Sequence, residues 1–131
     1  MQITKRYFLK HADKLKSRKA IEIMFVKGKS FSNFPFRILW LPIENETGLK
    51  AGFSASTKNF KKATDRNKIK RLMREAYRLQ KNDLAFKISS ANKALNLFFI
   101  YTGKEIPTYD AVFEKTGTVL KRISKMIDEK I

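Results

Sequence analysis

Hydrophobic positions recur along this chain with two periods, and the changes between them mark out its elements. Ile21, Met24 and Phe25 share one face of a predicted helix that Ser17 caps and that ends near Lys27, with Gly28 just past it. Residues 29–33 carry no period and read as a loop. From 34 to 42 the spacing becomes two: Phe36, Ile38 and Trp40 share one face, and Arg37, Leu39 and Leu41 the other. The Phe36 face is assigned to the core, because burying Arg37 unpaired would be expensive. Glu44 to Gly48 is a turn cluster, so a hairpin is predicted with a return strand from Leu49 to Ser56. In that strand the small residues Gly52, Ser54 and Ser56 leave one sheet face low and accessible.

A basic loop, 57–63, leads into the strongest helical signal, residues 64–81. Ile69, Leu72, Met73, Ala76 and Tyr77 fall at the spacing of a buried face. Arg66, Asn67, Lys70, Arg71, Arg74, Arg78 and Lys81 gather opposite, and Thr64 or Asp65 is the predicted cap. A short helical piece over 84–92 precedes Leu95 to Tyr101, an almost wholly apolar and therefore central strand. Thr108 caps a last helix reaching about Lys130, whose stripe is Val112, Phe113, Thr116, Leu120, Ile123 and Ile127. Gly117 within it costs about 1 kcal/mol relative to Ala, so close packing is expected there. The pattern is that of a small α+β domain spanning residues 1–131, with 1–16 a partly mobile basic arm.

Charge sharpens this picture. The 131 residues carry a formal net charge of +17, with 43% hydrophobic content. Such an excess repels itself in the folded state and points to a polyanionic partner. RNA, DNA and anionic membranes are the candidates, and the apolar stripes are consumed by one core, which disfavours the membrane. No apolar run reaches membrane-spanning length, and Met1 to Lys10 lack the features of a signal peptide. With no Cys there is no disulfide framework or thiolate metal site, which fits the cytoplasm. A protein nuclease needs an acid–base pair or clustered carboxylates. Here the one His is His11, and the twelve acidic residues are scattered. The chain supplies binding groups and no catalytic set.

Arg66-Asn67-Lys68, Lys70-Arg71 and Arg74-Glu75 resemble the signature R-N-R-x-K-R-x-x-R-E of the bacterial ribonuclease P protein subunit, with Lys68 in place of the Arg at its third position. The resemblance extends to Phe25 and Gly28, to the A-G-F-S-A-S strand and to the late apolar strand. The stretch N-F-K-K-A-T-D before the signature lacks the family's glycine, and Ile21 stands where many members carry an aromatic.

The resemblance implies an α/β sandwich: a small mixed sheet with about three helices and a left-handed βαβ crossover. It implies that ribonuclease P RNA is the catalyst, using Mg²⁺ that the protein does not bind tightly, and that the protein assists removal of the 5′ leader from precursor tRNA. Lys58, Lys61, Lys62, Arg66, Asn67, Lys68, Lys70, Arg71, Arg74 and Arg78 would then face the RNA subunit. Ile21, Phe25, Arg37, Leu39, Ser54 and Ser56 would form the leader cleft. No protein oligomer is implied. The competing reading is a non-catalytic basic RNA-binding protein, such as a ribosomal protein.

Overall fold

The structure is a computed structural model and describes residues 14–130. Its elements are α1 (Arg18–Lys27), β1 (Lys29–Asn33), β2 (Phe36–Ile43), β3 (Gly48–Ala55), α2 (Ala63–Gln80), α3 (Asn82–Ser90), β4 (Ala94–Tyr101) and α4 (Tyr109–Lys130). The strands form one mixed sheet in the order β1-β2-β4-β3. β1 and β2 pair antiparallel, β2 and β4 antiparallel, and β3 and β4 parallel.

Two expectations change here. Residues 29–33 are a strand, and the hairpin is β1–β2, joined at a cis Phe34–Pro35 bond. K-S-F-S-N shows no apolar alternation because an edge strand is held mainly by backbone pairing along one side. Its inward Phe31 lies under the Arg122 guanidinium of α4, 4.0 Å from the ring centroid. β2 and β3 do not pair, because β4 lies between them. The turn cluster does reverse the chain, with Asn45 at φ 66° and Gly48 at φ 112°. It opens a gap one strand wide, which the most apolar strand then fills.

The parallel pair needs a crossover, and α2 and α3 supply it. Ala51 sends its side chain into the helix-side core, while its carbonyl accepts from Leu15 N at 3.0 Å on the outer edge of the sheet. For an L-residue this places β4 to the left of an upward-running β3, viewed from the helices. The crossover is therefore left-handed, against the usual rule.

The helix-side core joins Phe36, Ile38 and Trp40 to Ile69, Met73, Ala76 and Tyr77 of α2 and to Val112, Val119 and Ile123 of α4. Phe99 lies at its centre, stacked on Phe53 at 5.2 Å and edge-on to Tyr77 at 5.8 Å. On the other face α1 closes a small cluster of Leu15, Met24, Leu39 and Phe98.

Ser17 caps α1 through Ala20 N at 3.2 Å, and Thr108 caps α4 through Ala111 N at 3.2 Å. α2 starts one residue earlier than expected. Lys62 sits at its cap without a side-chain bond, so neither Thr64 nor Asp65 takes that role. Lys81, expected on the basic face, is buried at the α2–α3 junction, where the chain turns at once into α3. Gly117 leaves room for Gln80: a Cβ there would stand 2.7 Å from Gln80 Oε1. That amide donates to the carbonyls of Ala76 at 3.1 Å and Phe113 at 3.0 Å, tying α2 to α4.

Candidate nucleic-acid interface

The outer face of α2 is the first of two surfaces. Its inward residues Ile69, Met73, Ala76 and Tyr77 are nearly inaccessible, which fixes the rotation of the helix. Asn67, Lys68, Arg71 and Arg74 are consequently exposed, and Lys70 is half-buried at the margin. Arg66 acts differently from its neighbours. Its Nη1 donates to the carbonyls of Phe60 at 2.8 Å and Lys61 at 3.0 Å, so part of its guanidinium holds the preceding loop. Arg78 is partnered as well: Nε donates to Glu75 Oε1 at 3.1 Å, and a second bond joins the same two groups. The Arg78 hydrogen bond holds the Glu75 carboxyl below its ordinary range, and Glu75 pushes the Arg78 guanidinium up.

The loop before α2 is ordered despite lacking a glycine. Ser56 Oγ accepts from Lys58 N at 3.2 Å and Asn59 N at 3.3 Å. Asn59 Nδ2 donates to the carbonyls of Thr102 and Gly103, each at 3.2 Å, and Phe60 is buried. With its backbone tied at these points, the loop leaves Lys58, Lys61 and Lys62 exposed beside the start of α2.

The second surface lies between α1 and the sheet. Register aligns Ser32, Arg37, Ile100 and Ser54 in one row across the strands, and Ser30, Leu39, Phe98 and Gly52 in the next. Except for the exposed Ser30 on the edge strand, the second row is covered. Leu39 is 3% exposed beneath α1, and a Cβ on Gly52 would meet the Phe98 ring at 2.7 Å and Leu15 O at 3.3 Å. Leu39 is therefore floor rather than contact surface, and Gly52 admits the Phe98 ring instead of leaving the sheet open. Ser56 is half-buried, and its hydroxyl accepts from the loop that follows. The first row stays accessible: Arg37 is exposed, and Ile100 and Ser54 are half-buried. At the other margin Phe25 is 54% exposed and edge-on to Phe98 at 5.6 Å, with Ile21 half-buried one turn before it.

Sequence reasoning missed Phe98 and Ile100. With Asn96 its one polar residue, β4 shows little alternation, and pairing with Leu39 and Arg37 reveals which residues face which side. His11 lies outside the described residues. Among those described, no group of three or more His, Cys, Asp or Glu is placed to hold a metal, and no helix is long and apolar enough to cross a membrane.

A mixed four-stranded sheet with a left-handed crossover, a cation-faced crossover helix and an open row of sheet beside α1 defines a basic α+β sandwich of the ribonuclease P protein type. A family profile described as Ribonuclease P matches residues 9–124. The chain belongs to that family and is a protein component of ribonuclease P. It is 30% identical over 118 residues to the ribonuclease P protein component of Porphyromonas gingivalis, covering 88% of this chain and 86% of that one. The RNase P protein from Thermotoga maritima superposes with a TM-score of 0.66 at 29% identity, covering 83% of this chain and 96% of that one. The Staphylococcus aureus RNase P protein shares the fold, with a TM-score of 0.64 at 22% identity, covering 85% and 94% of the two chains.

Proposed function

We propose that this chain binds the catalytic RNA of ribonuclease P through α2 and its preceding loop, and holds the 5′ leader of precursor tRNA between α1 and the open sheet row. The observation that carries this reading is the exposed cation face of α2, fixed in rotation by its buried opposite face. Guanidinium and ammonium groups neutralise phosphates and position RNA without reading bases. The leader surface combines the exposed Phe25 ring with Arg37, Ile100 and Ser54, an apolar and cationic mixture suited to single strands of varied sequence.

In this reading hydrolysis of the phosphodiester belongs to the RNA. The sequence offers a single His and no clustered carboxylates to do that work. Mg²⁺ is assigned to the RNA as well, as part of the same reading. The site of action is the cytoplasm, where precursor tRNA is processed. The test is reconstitution with a bacterial ribonuclease P RNA at low Mg²⁺. The protein should restore leader removal that the RNA performs poorly alone, and the protein without RNA should cleave nothing. Cleavage by the pure protein, or no effect of the protein on the RNA, would sink this reading.

A further inference from the structure

Phe113 belongs to the apolar stripe of α4 by spacing, yet it is 37% exposed. Its ring leans on Tyr109, one turn earlier, with centroids 5.8 Å apart and planes tilted by 47°. The backbone of this turn is fixed against α2, because Gln80 Nε2 donates to Phe113 O at 3.0 Å. Tyr109 lies within electrostatic reach of Glu75 and Arg78, and burial together with the Glu75 carboxylate pushes its phenol up. A tethered aromatic pair therefore stands beside α2, near the Arg78–Glu75 pair and on the side of the helix that carries the exposed Arg71 and Arg74. Two other exposed apolar rings, Phe34 and Phe86, have no aromatic neighbour among the described residues.

We infer that the RNA-binding surface of α2 continues onto the first turns of α4, where Tyr109 and Phe113 form a stacking platform for an unpaired base of ribonuclease P RNA. This rests on the RNA-subunit reading above and extends it to a second helix. Nucleobases stack on exposed rings whatever their sequence, and adjacent guanidinium groups hold the backbone of the same strand. Stacking releases no counterion. It therefore changes affinity without changing the salt slope, unlike a phosphate contact.

The experiment is a binding titration of the full chain on ribonuclease P RNA at several salt concentrations, with melting temperatures checked alongside. Phe113→Ala should weaken binding by about tenfold and leave the log–log salt slope unchanged. Phe113→Leu, which keeps an apolar neighbour for Tyr109 but offers no ring, should weaken it similarly, and Phe113→Trp should bind like wild type. Arg71→Ala with Arg74→Ala serves as the control for the parent reading. If that control loses affinity while Phe113→Ala and Phe113→Leu bind normally, the platform is wrong and the parent reading stands. Normal binding by Phe113→Leu alone would mark an apolar protein contact instead, and would also overturn the platform. Failure of the wild type to bind the RNA removes both readings.

Discussion

The two faces of the sheet are built to different depths. On the helix side, twenty-two buried residues from the sheet, α2, α3, α4 and the loop at Phe60 form one continuous core. On the α1 side, among the described residues, only Leu15, Met24, Leu39 and Phe98 are buried together. The deep face stabilises the domain and sets the rotation of α2, so Lys68, Arg71 and Arg74 face outward. The shallow face holds α1 against the sheet while leaving Arg37, Ile100 and Ser54 within reach of a ligand. A second complete core there would close the row proposed to hold the leader. The difference teaches that in this domain stability and ligand access are divided between the two sides of one sheet.

The largest expected effect lies in the deep core. Phe99→Ala should cost about 3–5 kcal/mol, read as a lowered urea midpoint. Met24→Ala should sit near the lower end of the range for such deletions, about 2–3 kcal/mol, because α1 is peripheral and settles into the space left. Equal costs at the two sites would break the comparison.

Next is the outer face of α2. Arg71→Ala combined with Arg74→Ala should weaken binding to ribonuclease P RNA on the order of 100-fold and flatten its salt slope by about 1 for each phosphate left without a cation. Its melting temperature should be unchanged, since both side chains are exposed. A large drop in melting temperature would mean that this face also supports the fold.

A smaller effect is expected on the shallow face. Arg37→Ala should lower the affinity for precursor tRNA relative to mature tRNA by roughly tenfold, and reduce the salt slope by about 0.7, the share of one single-strand phosphate. The ratio of the two affinities is the measurement. An unchanged ratio would take Arg37 out of the leader cleft.

The smallest concerns the seam between α2 and α4. Gly117→Ala gains about 1 kcal/mol of helix propensity but displaces the amide of Gln80, whose two bonds contribute about 1 kcal/mol each. The net change should lie within about 1 kcal/mol of zero in wild type. In a Gln80→Ala background the same substitution should be stabilising. A double-mutant cycle reads the difference, and a zero coupling would leave Gly117 without this explanation.

Periodicity and motif determined much of this protein directly from the chain. A buried helix face depends only on spacing, so Ile69, Met73, Ala76 and Tyr77 were readable, and with them the cation face opposite. The Phe36, Ile38 and Trp40 face followed because an unpaired Arg37 is too costly to bury. The caps at Ser17 and Thr108 were local as well. Tertiary structure decided whatever depends on distant partners. β1 exists because β2 offers it a pairing edge, and β2 and β3 stand apart because β4, which follows β3 only after two helices, fills the gap. Arg66 and Ser56 became supports of the loop through backbone atoms that no spacing rule identifies. Leu39 and Gly52 were covered when Phe98 and Leu15 closed over the sheet, since the exposure of a strand residue is set by whichever element packs on its face.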